Sequence, residues 1–146
     1  MRTRTFAALI LALACQRTSA TSQVDKTFLL GFLAGEYRLV GQAPDSGAAY
    51  VGQVTLRQHK GSLEIVRTVA GVSTRGSGTI EAAGEGGTLV LKARFSVSAV
   101  AYEATYLWKS DLDNYPRLTG YTYRAAGETK SPGLEALFHI PPTPKK

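Results

Sequence analysis

The chain has 146 residues and a formal net charge of +6, with 44% hydrophobic and 19% charged residues. This length allows one domain with a hydrophobic core, and the composition is too apolar for a disordered chain. The basic residues are scattered singly, unlike the clustered basic surface of nucleic-acid-binding proteins, so no nucleic-acid partner is expected.

The first twenty residues have the layout of a secretory signal peptide. Arg2 and Arg4 give a positively charged start, and the apolar stretch over residues 6–14 is too short to span a bilayer. The sequence therefore predicts a signal peptide over residues 1–20 and an exported protein that is periplasmic, anchored at the outer membrane or secreted.

Two cleavage sites compete in this segment. Cleavage before Cys15 would resemble the processing of bacterial lipoproteins, whose first cysteine is acylated, although Ala12 and Leu13 depart from the usual pattern. Cleavage after Ala20 would remove Cys15 instead. Because Cys15 is the only cysteine, the folded domain is expected to have no internal disulfide. Membrane anchoring through an acylated Cys15 depends on which site is used.

A short tether and a helix are predicted over residues 21–34, with the helix itself over residues 26–34. Asp25 is suited to cap the helix, because its carboxylate can accept hydrogen bonds from the exposed N–H groups of the first turn. Apolar residues between Phe28 and Leu33 cluster on one side, and Gly35 ends the helix.

From residue 35 the pattern alternates with a period of two between regularly spaced turns. It predicts eight strands over residues 36–42, 50–58, 62–70, 72–82, 88–98, 99–109, 117–125 and 134–140. Short connections make neighbouring strands antiparallel, and closing the sheet removes its unpaired edges. The predicted fold is therefore all-β: an eight-stranded antiparallel up-and-down barrel over residues 35–140, preceded by the short helix and followed by a disordered tail over residues 141–146.

Three short motifs lie at the start of the predicted barrel. They are Gly-Glu-Tyr at residues 35–37, Ala-Pro-Asp-Ser-Gly at residues 43–47 and Tyr-Val-Gly-Gln-Val at residues 50–54. Together with the meander they resemble the calycins, the superfamily of lipocalin and avidin-like barrels, and most of all small bacterial exported lipocalin-like domains. Tyr37 stands where true lipocalins carry Trp, and the last strand has no Arg. The resemblance therefore implies the fold without a particular ligand.

The sequence groups no residues for catalysis or metal binding. His59 and His139, the two histidines, lack metal-ligand spacing to another His, Cys or carboxylate. No nucleophile elbow or phosphate-binding loop is present, and Glu36, Glu64 and Glu103 fall on the outward phase of their strands. A non-catalytic protein without a cofactor or a metal is expected.

Aromatic side chains concentrate on the inward phase of the predicted strands. Tyr102, Tyr106 and Trp108 alternate along strand six, and Tyr37 and Tyr50 are expected to face the lumen as well. Rings with hydroxyl groups suit a small amphipathic ligand, but the same rings could simply fill a small barrel.

Arg67 departs from this pattern because strict alternation points it inward, in phase with Ile65 and Val69. A buried guanidinium is costly unless it is paired, and no carboxylate was identified in phase with it. A bulge or a rim position that turns it outward is favoured over a place at the barrel mouth that awaits an anionic ligand.

The predicted function is that of a non-catalytic envelope protein that binds a small hydrophobic or amphipathic ligand in or near the barrel. A compound with an aromatic or acyl body and an acidic head would match the predicted site. The alternative is a protein–protein interaction, scaffold or inhibitor module with a filled barrel. The predicted binding residues are Tyr37, Tyr50, Arg67, Tyr102, Tyr106 and Trp108.

Overall fold

A closed barrel of eight strands forms most of the chain. The computed structural model describes residues 20–85, 87–110 and 114–142. Consecutive strands pair in antiparallel fashion and the last pairs with the first, which confirms the predicted up-and-down barrel. The elements are α1 (Ala20–Leu33), β1 (Gly35–Gln42), β2 (Ala49–His59), β3 (Ser62–Val69), β4 (Val72–Ala83), β5 (Thr88–Val97), β6 (Val100–Ser110), β7 (Pro116–Arg124) and β8 (Gly133–His139).

Each strand begins and ends within one residue of its predicted range. One such difference lies between β5 and β6, since the sequence predicts strands over residues 88–98 and 99–109 with no residue between them. Ser98 and Ala99 instead form a two-residue turn, with φ values of 48° and 66°. Paired positive φ values match the twist of a hairpin, but neither residue is of the type that usually signals such a turn.

Helix α1 starts six residues earlier than the predicted helix. Asp25 therefore lies inside α1, and its predicted role as the helix cap is wrong. Residues 21–25 contain no Gly or Pro to stop a helix from extending toward its N-terminus. Within the described residues, no helix combines the length and the apolar character needed to cross a bilayer. Residues 1–19, with Cys15, lie outside the described residues.

The helix covers one end of the barrel, called the closed end below. Leu30 and Leu33 of α1 are buried there, and the hydroxyl of Tyr37 donates a hydrogen bond of 2.7 Å to the carbonyl oxygen of Leu33. The inward side chains of this half pack into a solid core, as large apolar groups do in protein interiors. They include Leu39, Leu56, Leu63, Leu91, Leu118 and Leu137. The opposite end, called the mouth, stays partly open.

The outer wall differs between its two halves. On β3 to β6, ion pairs join neighbouring strands, among them Arg75–Glu64 at 2.7 Å and Lys92–Glu103 at 2.9 Å. On the strands that complete the circle, exposed apolar side chains replace them. On β1, β2, β7 and β8 these include Val40, Val51, Tyr121 and Leu134.

Candidate ligand-binding site

A cavity of about 230 Å³ occupies the mouth half of the lumen. Its walls come from the strand ends at the mouth and from the β1–β2 loop, and most of them are apolar. The apolar lining residues are Ala43, Pro44, Val69, Phe95 and Val97. The cavity is therefore a largely apolar slot above the solid core that opens at the mouth, and its chemistry depends on the few polar residues that line it.

Glu135 is the carboxylate at the centre of these polar groups. It is 1% exposed, and three donors meet it. Arg67 Nη2 lies 2.5 Å from Oε1, the Tyr50 hydroxyl also donates to Oε1, and the Tyr106 hydroxyl donates to Oε2. Because all three partners donate, the carboxyl group acts as an acceptor only, as an ionised carboxylate does. A buried charge is tolerated under these conditions of pairing and hydrogen bonding.

Two glycines let the tyrosines reach this carboxylate. In the sheet register Glu135 pairs with Gly41 on β1 and with Gly120 on β7. Gly41 in turn pairs with Tyr50, and Gly120 pairs with Tyr106. A Cβ atom on Gly41 would lie 2.6 Å from Cζ of Tyr50, so a side chain there would collide with the ring. These paired residues form a row across five neighbouring strands, which reads Tyr50, Gly41, Glu135, Gly120 and Tyr106. Each tyrosine reaches Glu135 past the strand that carries a glycine.

Arg67 is held from a second direction by an aromatic ring. Its Cζ lies 3.8 Å from the ring centroid of Phe95, a cation–π contact, and Phe95 stacks on Tyr102 with centroids 5.9 Å apart. Burial is the largest single influence on the pKa of Arg67 and lowers it, but the charge and hydrogen bond of Glu135 together with the contributions of Tyr106 and Tyr50 outweigh burial, so the pKa is raised overall. The guanidinium is therefore a fixed positive charge in the floor of the cavity.

The tyrosines of the row stay protonated for the same reasons. Burial, and then the charge of Glu135, raises the pKa of Tyr50 and of Tyr106 well above the ordinary value. Both hydroxyls therefore remain neutral donors at physiological pH.

Two polar atoms in the cavity lining lack a hydrogen-bond partner among the described residues. They are Nη1 of Arg67 and Oγ1 of Thr122, and both are buried. Buried polar atoms in native proteins are nearly always hydrogen-bonded, because leaving them unpaired costs the full price of desolvation. Both atoms have almost no accessible surface in this conformation, so a bound molecule would be oriented by them after a small shift of these two side chains.

The β1–β2 loop is held in place at the mouth by Asp45. Its Oδ1 accepts hydrogen bonds from the backbone N–H groups of Lys130, at 2.8 Å, and Ser131, at 3.1 Å, in the β7–β8 loop. The hydrogen bond from Ser131 is the main reason that the pKa of Asp45 is lowered. This contact fixes Pro44, whose ring forms part of the cavity wall.

The structure divides the predicted binding residues between the two ends of the barrel. Tyr50, Arg67 and Tyr102 line the mouth cavity, and Tyr106 lies beneath them against Glu135. Tyr37 is fully buried at the closed end, and Trp108 lines a groove beside Phe28 and Phe32 of α1. These two residues are too far from the mouth to line its cavity.

The prediction that a bulge or a rim position turns Arg67 outward is wrong. Arg67 pairs in regular register with Val54 on β2 and Thr74 on β4, so β3 carries no bulge at this point. The side chain is 5% exposed and points inward. The energetic objection to burying it is removed by Glu135, which had not been recognised as an inward residue.

Sequence reasoning missed Glu135 and Thr122. On β8 the inward positions are Glu135 and Leu137, whereas Leu134 and Phe138 point outward and are exposed. Because the apolar residues of this strand occupy both phases, alternation alone did not identify its inward face. Counting the register around a closed barrel, from Tyr106 through Gly120, would have placed Glu135 in the lumen.

Metal binding has no framework in the part of the chain that the structure describes. No group of three or more His, Cys, Asp or Glu side chains is arranged there to hold a metal ion. His139 packs between Tyr115, with ring centroids 4.3 Å apart, and Tyr37, at 5.2 Å. This histidine contributes to packing at the closed end, away from the cavity.

Comparison of the sequence with protein-family models gives no match, and comparison with curated proteins gives none either. The fold is compatible with a calycin-like barrel, but many unrelated functions share such folds. The function therefore has to be inferred from the cavity itself.

Proposed function

We propose that the barrel binds a small ligand, with an apolar body and a polar head, in the mouth cavity. The observation that supports this most directly is that two residues lining a largely apolar cavity, Arg67 and Thr122, each carry a buried polar atom, Nη1 and Oγ1, without a hydrogen-bond partner among the described residues. A lumen that served only as a core would be expected to be filled throughout, as it is at the closed end. Apolar walls with a few fixed polar groups are typical of small-molecule sites.

The size of the cavity restricts the ligand. At about 230 Å³ it is smaller than the roughly 300–1,000 Å³ of common ligand pockets. The ligand is therefore either a small molecule or the end of a longer chain that leaves through the mouth. Val97 lines the cavity and is 39% exposed, so such a chain would leave the barrel next to Val97.

The proposed role is non-catalytic. Glu135 is the single carboxylate among the described lining residues, and its oxygens are occupied by three donors. It is thus poorly placed to take a proton from a substrate. Tyr50 and Tyr106 are kept neutral, so they do not supply a nucleophile either. Binding is the chemistry that these groups support.

We further propose a calycin-like protein of the cell envelope, exported by the signal peptide of residues 1–20. The proposal of export rests on the sequence of that segment alone. The intact mass of the mature protein distinguishes the two processing routes. An acylated chain beginning at Cys15 supports a membrane anchor, whereas a soluble chain beginning at Thr21 excludes one.

Native mass spectrometry of the protein purified from its own host tests the binding proposal. The wild type should retain a small molecule, and Val69→Phe should lose it because the larger ring fills the cavity. Val51→Phe makes the same change on the outer wall, where Val51 is 69% exposed, and should retain the molecule. Equal retention by both variants would place the ligand elsewhere. The absence of a retained mass, together with no stabilisation by small amphipathic compounds, would contradict the proposal.

A second candidate function is protein–protein interaction through the apolar half of the outer wall. Val51 pairs with Val40, and Tyr121 pairs with Leu134, so exposed apolar side chains lie next to each other on neighbouring strands. Grouped apolar residues on a surface are typical of interaction sites. Sedimentation velocity over a range of concentrations tests self-association, which Val51→Lys should weaken.

A further inference from the structure

We infer that the mouth cavity selects a ligand whose head is an uncharged carbonyl group, such as an amide, ester or ketone. This inference rests on the proposed binding function and replaces the acidic head predicted from the sequence. It follows from the charge balance of the site, from the hydrogen-bonding capacity that is left unused, and from the nature of the walls.

The charges within the cavity cancel. Arg67 and Glu135 are the charged residues among the described lining residues, and they are joined at 2.5 Å. The remaining lining residues are apolar or neutral. An anionic head at Nη1 of Arg67 would be attracted by the guanidinium and repelled by the Glu135 carboxylate on the same group. The cost of removing that anion from water would then have little to offset it.

The unused hydrogen-bonding groups favour an acceptor. Nη1 of Arg67 can only donate, whereas Oγ1 of Thr122 can donate or accept. A carbonyl oxygen has two lone pairs and carries no charge, so it can accept from the guanidinium without adding a second anion beside Glu135. An ammonium head has no lone pair to offer Nη1 and would meet a positive charge. A neutral carbonyl compound is therefore the head group that satisfies the site.

The cavity walls indicate the chemistry of the part of the ligand that is attached to the carbonyl head. Phe95 contacts Arg67 through its ring and lies against Tyr102, so the space next to the head is lined by aromatic faces. Val69 and Val97 continue the apolar surface toward the mouth. An acyl chain or an aromatic ring attached to the carbonyl group would bury its apolar area here.

Octanamide and octanoate form a matched pair of probes, because they have the same number of non-hydrogen atoms and differ in charge. Isothermal titration calorimetry of the full mature chain at pH 8, where octanoate is ionised, measures both affinities. We expect octanamide to bind at least about tenfold more tightly than octanoate. Equal or tighter binding of octanoate would overturn the inference and leave the binding function standing. If neither compound binds at about 1 mM, the binding function fails together with the inference.

Two isosteric variants locate the effect. Thr122→Val removes the hydroxyl and should weaken octanamide binding by about threefold to tenfold, as expected for one hydrogen bond. Unchanged affinity would show that the head does not bind here and would overturn the inference. Glu135→Gln removes the negative charge, so octanoate should gain affinity and the preference for octanamide should shrink or reverse. A preference unchanged in a folded Glu135→Gln protein would also overturn it. If Glu135→Gln does not fold, the inference is tested by the affinities of octanamide and octanoate for the wild type.

Discussion

Arg67 and Glu135 depend on each other for their places in the lumen. Each is almost completely buried, and each would leave the other as an unpaired charge if it were removed. Burying two charges costs desolvation energy that their attraction only partly returns, so such a pair is a poor source of stability. Its presence in the cavity floor accords with the proposed binding function, in which the pair would offer a ligand one fixed donor in a neutral setting.

A double-mutant cycle tests this dependence. Glu135→Leu alone, which leaves Arg67 buried without a partner, should reduce the free energy of unfolding by about 3–5 kcal/mol. Arg67→Met alone should also be destabilising. The double variant should be more stable than Glu135→Leu alone, because no uncompensated charge remains. Urea denaturation of the four proteins measures the coupling. Additive losses would mean that the two residues act independently.

Contacts between individual side chains in the lumen were the feature that the sequence predicted least completely. Alternation gave the inward phase of Tyr50 and Arg67 correctly, because Tyr50 lies in phase with the buried Leu56 on β2 and Arg67 lies in phase with the buried Ile65 on β3. The partner Glu135 was missed because β8 exposes Leu134 and Phe138. Contacts such as Tyr106 to Glu135 join residues 29 positions apart in the chain, and only the register of the closed barrel brings them together.

At the scale of elements, α1 and β1 act as one unit that closes the barrel. The short connection between them places Tyr37 directly beneath the last turn of the helix, where its hydroxyl binds the carbonyl oxygen of Leu33. Burial raises the pKa of Tyr37, so this hydroxyl remains a donor. The expectation that Tyr37 faces the interior of the barrel is confirmed, and the structure places it at the closed end.

Truncation of Tyr37 should therefore be costly. Tyr37→Ala should reduce the free energy of unfolding by about 3–5 kcal/mol, as a large-to-small change in a core does. Tyr37→Phe keeps the ring and loses one hydrogen bond, at about 0.5–1.5 kcal/mol. Tyr121→Ala on the outer wall, where Tyr121 is 60% exposed, is the control and should change stability by about 0.5 kcal/mol or less. A loss below about 1 kcal/mol for Tyr37→Ala would show that the closed end can repack without this ring.

The strands were more predictable than the side-chain contacts, because the sequence pattern that marks a strand lies within the strand and its turns. Period-two alternation between glycine-rich turns marked all eight strands, since each strand has an inner and an outer face. The start of α1 was less accessible, because residues 21–25 contain no Gly or Pro that would mark a boundary.

At the scale of the whole molecule, the two halves of the lumen differ in how much stability they can supply. The closed end is packed with Leu and Tyr side chains, whereas the mouth half leaves about 230 Å³ unfilled. An unfilled volume forgoes the apolar contacts that a larger side chain would make. A cavity maintained for binding is therefore expected to come at the expense of stability, and filling it should recover part of that loss.

Val69→Phe tests this relation between cavity and stability. Val69 lines the cavity at the end of β3, so a phenyl ring there can bury apolar area in the empty space without displacing the core. The free energy of unfolding should rise by about 0.5–2 kcal/mol, the range typical of cavity-filling changes. Val51→Phe on the outer wall should change it by about 0.5 kcal/mol or less. Guanidinium denaturation measures both, and octanamide titration of the same samples shows whether binding is lost. A Val69→Phe protein that is destabilised by more than about 1 kcal/mol would indicate that the space is already closely packed, and the cavity would then have to be smaller in solution than the structure shows.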